Sequence, residues 1–221
     1  MTVSLAPEAG NVLLAVMDDG KANALSFDAV AALRAALAEA AATGRTLVVA
    51  GREGTFCAGF DLGVINGGDR AAVTALVRDG VGLFREMFEA PIPVVAACTG
   101  HALAAGALLL LAADHRVGGR SAESKIGLTE VRLGMALPAF ALAMARHRLA
   151  PVHLTAATLF GRVVSPQTAI DAGYLDDMSD DPVPSAVEVA AELAALPRAA
   201  FRSTKELLRR PVVGELGGLT P

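Results

Sequence analysis

One acidic residue, Glu130, lies in a mainly apolar stretch from Ile126 to Val131. A carboxylate in such surroundings needs a partner or a chemical task, because burying an unpaired charge is costly. The sequence alone also allows a plainer interpretation, in which the side chain faces solvent on a short helix or pairs with Arg132. If the side chain is buried instead, its pKa should rise toward neutral pH, which suits a group that takes up and returns a proton.

Two segments of small residues could bring main-chain N–H groups against a ligand. Residues 56–60 (FCAGF) follow a strand-like run, and residues 100–106 (GHALAAG) lead into an apolar helix. The first N–H groups of a helix have no partner within it and attract negative charge. Two such groups aimed at one oxygen would form an oxyanion hole, worth about 3 to 4 kcal/mol per donor. Either segment alone is weak evidence, because most glycine-rich turns only turn the chain.

The elements that must position these residues alternate between strand and helix in the first half of the chain. Apolar patterns predict strands at 12–17, 46–50, 93–98 and 113–117, and helices at 26–42, 71–90 and 105–111. Residues 51–68 are predicted to form a long glycine-rich connection, and residues 99–101 a turn. The alternation predicts a parallel sheet with helical crossovers, an α/β fold. The second half is predicted to be nearly all helix, as a cap on the sheet or an oligomer interface.

Composition argues against several classes of protein. The 221 residues are 53% apolar and 19% charged, which favours a packed core over disorder. A net charge of −4 without a basic run argues against nucleic acid as a partner. The nearly apolar run 102–113 is shorter than the roughly 20 residues that span a bilayer, and residues 1–10 lack a signal pattern, so we expect a cytoplasmic protein without a membrane partner. Cys57 and Cys98 are expected to be buried free thiols, and no metal-ligand spacing is present.

Several segments, in order along the chain, resemble the crotonase (enoyl-CoA hydratase/isomerase) superfamily. Residues 56–62 (FCAGFDL) are similar to its first oxyanion-hole loop, and residues 100–106 to its second. Residues 126–134 (IGLTEVRLG) are similar to the segment that carries a catalytic glutamate. Residues 21–25 (KANAL) resemble the loop that lies along coenzyme A, and residues 171–175 (DAGYL) a later turn.

The resemblance covers roughly residues 12–174 and implies a fold and an assembly. Residues 1–174 would form a crotonase-like ββα spiral with two roughly perpendicular sheets, and residues 175–221 a helical C-terminal trimerisation region of the same functional unit. The implied assembly is a homotrimer or a hexamer. The implied ligand is an acyl-CoA thioester of fatty acid metabolism, with coenzyme A as part of the substrate and no separate cofactor or metal.

The matching positions imply a role for each site residue. Phe60 and Ala105 would donate the two N–H groups, and Glu130 would be catalytic through its carboxyl group. The substrate-binding positions would be Lys21, Ala22, Ala58, Phe60, Asp61, Leu62, Gly63, Ala105 and Leu108.

Three charged residues near these segments also have plainer explanations. Asp61 and Asp114 lie at strand or loop ends and are more simply caps or ion-pair partners of Arg116 or Lys125. Lys205 could reach a coenzyme A phosphate of a neighbouring subunit, but a solvated lysine is the simpler interpretation.

Leu108 stands where hydratases of the superfamily carry the first of two glutamates that act on water. A single glutamate fits proton transfer between two carbons better than the addition of water, so we predict double-bond isomerisation of an enoyl-CoA. Hydration stays open if Asp79 or Glu86 supplies the second acid. Other crotonase chemistry, such as decarboxylation, dehalogenation or thioester hydrolysis, stays open as well. A non-catalytic acyl-CoA binding protein is the alternative from another class, although retention of Glu130 argues against it.

Overall fold

The computed structural model describes the backbone of residues 2–217 and the side chains of residues 3–214. The outer ends of the two predicted regions, Met1 and residues 218–221, lie outside the described residues. The strands are β1 (Thr2–Glu8), β2 (Val12–Asp18), β3 (Thr46–Gly51), β4 (Gly54–Cys57), β5 (Val94–Cys98), β6 (Gly100–Leu103), β7 (His115–Gly119), β8 (Ile126–Gly127) and β9 (Asp177–Ser179). The helices are α1 (Phe27–Thr43), α2 (Leu62–Ile65), α3 (Arg70–Glu89), α4 (Ala105–Ala112), α5 (Ala139–Arg148), α6 (Pro151–Thr158), α7 (Pro166–Ala172), α8 (Pro182–Ala194) and α9 (Arg198–Gly217), with a 3₁₀ turn at Glu130–Leu133.

The larger sheet has six strands in the order β1-β2-β3-β5-β7-β9. Strand β1 runs antiparallel to β2, and the other pairs are parallel, as the alternation of strands and helices predicts. Strand β3 is buried along its whole length, because helices cover both faces of the sheet. The apolar pattern did not predict β1 or β9.

A second, smaller sheet pairs β4, β6 and β8 in parallel. The predictions of a long connection at 51–68 and a turn at 99–101 were wrong in this respect, since these segments contain β4, α2 and the start of β6. Strands of two to four residues are too short to show an alternating pattern. The chain repeatedly adds a strand to the large sheet, then one to the small sheet, then helix, which is the predicted ββα spiral.

Local signals set the ends of α1, which lies within one residue of the helix predicted at 26–42. Ser26 caps its start, where the side-chain Oγ accepts a hydrogen bond from the N–H of Ala29 at 3.2 Å. Gly44 ends the helix with a φ of 64°, in the left-handed region that glycine adopts easily.

Helices α8 and α9 close the two sides of the core. Ala186 and Ala190 of α8 pack on one face of the large sheet, against side chains such as Val48 and Val95. The larger apolar cluster lies on the other side, between the two sheets and most of the helices. No helix within residues 2–217 is both long enough and apolar enough to cross a membrane.

Buried ion pairs attach α9 to the core. Asp114 accepts from Nζ of Lys205 and from the guanidinium of Arg209, each at 2.7 Å. The predicted partners of Asp114 were therefore wrong, and so was the interpretation of Lys205 as solvated, since Lys205 is only 6% exposed. Arg116 pairs with Asp176 instead, at 2.6 Å.

Candidate active site

Phe60 follows strand β4 in a segment that an earlier loop holds on both sides. The N–H of Leu25 donates to the carbonyl of Gly59 at 2.8 Å, and the carbonyl of Leu25 accepts from the N–H of Asp61 at 3.1 Å. In a parallel bridge of this kind, the N–H of the middle residue points away from the partner segment. The N–H of Phe60 is therefore directed away from Leu25, and no hydrogen-bond acceptor for it is found within the described part of the chain.

The ring of Phe60 anchors the same segment on helix α3. A Cβ on Gly80 would lie only 2.4 Å from a ring carbon of Phe60, so a larger residue at this point of the helix would displace the ring. The centroid of the Phe60 ring is 6.3 Å from that of Phe84, which is in the core. The side chain is thus fixed by packing, while the main-chain N–H keeps its hydrogen-bonding capacity.

Ala105 is the first residue of helix α4. The chain enters this helix through Ala104, whose φ of 49° and ψ of −120° make a sharp turn. The carbonyl of Ala104 accepts from Ala107 and Leu108, whereas the N–H of Ala105 has no partner among the described residues. An unpaired N–H at this end of a buried helix carries the positive end of the helix dipole.

The two segments touch with no room for a side chain between them. Gly59 has a φ of 108°, and a Cβ built on it would lie 3.2 Å from the carbonyl oxygen of Leu103 and 3.3 Å from the Cβ of Ala104, both closer than ordinary contact. A Cβ on Gly106 would lie only 2.0 Å from the carbonyl oxygen of Cys57. The residues next to the two predicted donors are therefore in direct contact, although they are far apart in the sequence.

Glu130 begins the 3₁₀ turn after β8, the strand that pairs with β6 and hence with the approach to Ala105. The residue is 8% exposed, and within the described part of the chain its Oε2 is buried without a hydrogen-bond partner. Burial raises the pKa of Glu130, because a charged carboxylate loses its hydration there. The solvent-facing alternative was therefore wrong. The alternative pairing of Glu130 with Arg132 was also wrong, because Nε of Arg132 donates to the carbonyl of Gly161 at 2.7 Å instead.

Tyr174 is a buried polar residue that the sequence did not single out as functional. Its hydroxyl faces the main chain of Leu128 but forms no hydrogen bond of normal geometry there. Burial raises the pKa of Tyr174, and the charge of Glu130 raises it further. No local signal marks this proximity, because a tyrosine after a glycine turn normally only packs into the core.

The residues predicted to lie along coenzyme A are at the surface. Lys21 and Ala58 are exposed, and Ala22 is half-buried. The carbonyl of Ala22 accepts from the N–H of Ala58 at 3.0 Å, and Nε of Arg52 donates to the carbonyl of Lys21 at 3.0 Å. These contacts keep the early loop against the segment that leads to Phe60. The binding role of these residues stays a prediction.

The residues predicted beside the acyl group differ in their exposure. Leu62 and Gly63 are exposed on the short helix α2. Asp61 caps that helix by accepting from the N–H of Gly63 at 2.8 Å, as its plainer interpretation predicts. Leu108 is in α4 and only 2% exposed, so a buried apolar side chain stands at the position of the first hydratase glutamate. Contact of any of these residues with substrate stays a prediction.

The other acids considered for hydration lie on helix α3. Glu86 is exposed and pairs with Arg34 at 2.7 Å. Asp79 lies beside Arg78 at 3.6 Å. Within residues 3–214, no cluster of three or more His, Cys, Asp or Glu side chains could hold a metal ion.

Comparison with known proteins identifies the family. A family model described as Enoyl-CoA hydratase/isomerase matches residues 8–216. A protein of Mycobacterium tuberculosis H37Rv named probable enoyl-CoA hydratase EchA14 is 35% identical over 205 residues, covering 89% of this chain and 77% of its own. The crystal structure of the enoyl-CoA hydratase EchA3 from Mycobacterium ulcerans superposes with a TM-score of 0.92 at 33% identity, covering 97% of this chain and 94% of that one. An enoyl-CoA isomerase of M. tuberculosis superposes with a TM-score of 0.91 at 34% identity, covering 97% and 93%. The chain therefore belongs to the enoyl-CoA hydratase/isomerase family of the crotonase superfamily and is an enzyme.

Proposed function

We propose that this enzyme isomerises enoyl-CoA thioesters, moving the double bond from the 3,4 to the 2,3 position. The observation that carries the proposal is the combination of a buried acid at Glu130 with a buried leucine at position 108. One carboxyl group is available for proton transfer, and no acid stands where hydratases carry their first glutamate. The M. tuberculosis protein of the same fold is named enoyl-CoA isomerase in one solved structure and probable enoyl-CoA hydratase in another, so its name supports neither reaction over the other.

In the proposed reaction, the thioester oxygen lies between the N–H groups of Phe60 and Ala105. The carboxylate of Glu130 removes a proton from C2, and the electrons of the broken C–H bond pass through the thioester carbonyl to its oxygen, which gives a dienolate. Glu130, now protonated, returns the proton to C4, and the double bond forms between C2 and C3. The carboxylate is restored, so no water or external acid is consumed.

The electrostatics of the site support both steps. The developing negative charge on the thioester oxygen would face two main-chain donors, each worth about 3 to 4 kcal/mol to the transition state. Ala105 adds the positive end of helix α4. The raised pKa of Glu130 brings the protonated and ionised forms closer in free energy near neutral pH. A group that both accepts and donates a proton needs such a balance.

Hydration of a 2-enoyl-CoA is the second candidate, favoured by the names of relatives such as EchA14. It requires a second acid to position and activate water. Glu86 is engaged by Arg34 on the surface, and Leu108 cannot supply a proton. These contacts favour isomerisation over hydration.

The test is to incubate the purified enzyme with a 3-enoyl-CoA and, separately, a 2-enoyl-CoA in D2O, and to follow both by NMR. We expect the 3-enoyl-CoA to become the 2-enoyl isomer, with deuterium entering the carbons that exchange protons. Addition of water to the 2-enoyl-CoA without migration of the double bond would support hydration instead. Binding without any exchange would indicate a non-catalytic site.

Glu130→Gln tests the role of the single carboxyl group. Its turnover should fall by about 10² to 10⁴, the usual contribution of a positioned acid–base group. Glu86→Gln is the matched control, because it makes the same change in an exposed ion pair on α3, and it should keep wild-type turnover. Undiminished turnover in Glu130→Gln would refute the proposed mechanism.

We also propose that the enzyme assembles as a trimer, or as a hexamer of two trimers, as the resemblance implies. Exposed apolar side chains support an interface. Val152, Leu159 and Phe160 are 86%, 65% and 59% exposed, and Leu207 and Leu208, within the predicted trimerisation region, are 61% and 64% exposed. Light scattering at micromolar concentration should give the mass of three or six chains. A monomer at that concentration would contradict the proposal.

A further inference from the structure

Asn23 is a fully buried polar residue that takes no part in the proposed proton transfer. Its backbone is in the left-handed region, with a φ of 51°. Its Oδ1 accepts from the N–H of Asp19 at 3.1 Å, which fixes the orientation of the amide group. Its two Nδ2 hydrogens are shared among three carbonyl oxygens, those of Met17 (2.9 Å), Thr55 (3.0 Å) and Phe56 (3.3 Å).

These three carbonyl groups belong to the ends of two strands in different sheets. Met17 is in β2 of the large sheet, and Thr55 and Phe56 are in β4 of the small sheet. One amide group therefore connects both strand ends to the loop that contains Asn23. Without it, three main-chain oxygens would lose a donor inside the core, where no water replaces it easily.

The same loop holds the segment that carries the first N–H donor. One residue before Asn23, the carbonyl of Ala22 accepts from the N–H of Ala58. Two residues after it, Leu25 bonds to the residues on either side of Phe60. Asn23 thus lies between Ala22 and Leu25, the two residues through which the loop is hydrogen-bonded to the Phe60 segment.

The turn before Asn23 fixes the loop from its other end. The carboxylate of Asp19 accepts from the main-chain N–H groups of Lys21 (2.7 Å), Asn23 (2.9 Å) and Ala24 (3.2 Å). The loop is therefore held at its start by the Asp19 carboxylate, and toward the Phe60 segment by the Asn23 amide and the main-chain bonds of Ala22 and Leu25. Among the hydrogen bonds of the described residues, those of the Asn23 amide connect the loop to β4 itself, the strand that leads to Phe60.

We infer that Asn23 is a positioning residue for the oxyanion hole. Its amide group fixes the end of β4 against the early loop, and this contact keeps Leu25 in register with Gly59 and Asp61, whose hydrogen bonds to Leu25 set the direction of the Phe60 N–H toward the thioester oxygen. The inference rests on the proposed function, because it assigns Asn23 to the oxyanion hole used there.

Asn23→Gly removes the amide group while keeping a residue that adopts a positive φ without strain. Asn11→Gly is the matched control, since Asn11 also has a positive φ, of 62°, and its Nδ2 also donates to a carbonyl, that of Gly44 at 2.9 Å. Asn11 is exposed at the opposite end of β2, away from the Phe60 segment. Asn23→Ser is a second variant, because its hydroxyl can still donate one hydrogen bond.

The direct readout is the infrared carbonyl stretch of butyryl-CoA labelled with ¹³C at the thioester carbon. This saturated thioester cannot isomerise, and donors aimed at its oxygen lower the stretching frequency. We expect the bound ligand to show this lowering with the wild type and Asn11→Gly, to lose most of it with Asn23→Gly, and to lose less with Asn23→Ser. Purely structural support by Asn23 would change the amount of folded protein but not the frequency of the bound ligand.

The kinetic readout is isomerisation of a 3-enoyl-CoA below the unfolding transition of every variant. Removing one oxyanion donor altogether lowers kcat by about 100- to 1,000-fold, and changing its direction should cost less. We therefore expect kcat of Asn23→Gly to fall about 10- to 100-fold. KM should change by less than about threefold, because the Asp19 carboxylate still holds the loop that carries the predicted coenzyme A residues Lys21 and Ala22.

The outcomes separate this inference from the proposed function. If the wild type lowers the carbonyl frequency and Asn23→Gly lowers it equally, the positioning role of Asn23 is wrong while the oxyanion hole stands. If the wild type lowers the frequency but does not isomerise, the proposed reaction is wrong, and the positioning role is decided by the infrared comparison alone. If the wild type does not lower the frequency at all, both are wrong.

Discussion

Replacing Gly106 by alanine tests whether close contact between the two donor segments sets the reaction rate. A Cβ at this position would lie 2.0 Å from the carbonyl oxygen of Cys57 and 2.7 Å from its carbonyl carbon. Ordinary contacts of this kind begin at 3.4 Å, and both atoms belong to the main chain, so no side chain can move aside. The end of β4 and the start of α4 must therefore separate by roughly 1.4 Å, the difference between 3.4 Å and 2.0 Å.

That displacement should affect both rate and stability. A misplacement of about 1 Å costs about 100-fold in rate, or about 2.7 kcal/mol of transition-state stabilisation. Overpacking of this kind also costs about 1 to 3 kcal/mol of folding free energy, which lowers Tm by roughly 2 to 4 °C per kcal/mol in a chain of this size. The assays are the initial rate of 3-enoyl-CoA isomerisation below the unfolding transition, and thermal unfolding followed by circular dichroism.

Gly100→Ala is the matched control. Its Cβ would lie 2.0 Å from the carbonyl carbon of Gly54, so strand β4 meets the same kind of main-chain clash at its other end, against β6 and away from the donors. We expect a similar loss of stability, with kcat of the folded protein within about threefold of the wild type. The reasoning is refuted if Gly106→Ala keeps wild-type kcat, or if Gly100→Ala loses as much activity as Gly106→Ala.

Three further predictions concern stability and reactivity. Asp114→Asn leaves two buried cations without their carboxylate and should cost about 3 to 5 kcal/mol in urea unfolding, whereas a cost below about 1 kcal/mol would contradict the buried ion pairs. Because burial raises the pKa of Glu130, the folded chain holds that proton more tightly than the unfolded chain. The free energy of unfolding of the wild type relative to Glu130→Gln should therefore be highest below about pH 4 and fall as pH rises through the raised pKa, and a difference independent of pH would contradict this. Burial raises the pKa of Cys57 and of Cys98 to about 12, so iodoacetamide should label neither thiol until the chain unfolds, as mass spectrometry would show.

The sequence by itself determined the features that depend on neighbouring residues. Ser26 and Gly44 mark the ends of α1 because a helix cap is made within one turn of the chain. The buried strands β3 and β5 follow from short apolar runs, since a strand covered on both faces needs no polar side. The site segments could be matched to a family because each is a short run of small residues or a single acid in a fixed order.

The tertiary structure decided which distant residues meet. Asp114 accepts a hydrogen bond from Lys205, 91 residues away in the sequence, and Asn23 donates one to the carbonyl of Thr55, 32 residues away. A periodic pattern shows which face of an element is buried, but not which element covers it. The need for glycine at position 106 likewise comes from a main-chain oxygen nearly fifty residues earlier, which only the folded chain brings close. Short strands such as β4 and β6 were not predicted from the sequence. Four residues are too few to show an alternating pattern, and pairing with a neighbouring strand makes them extended.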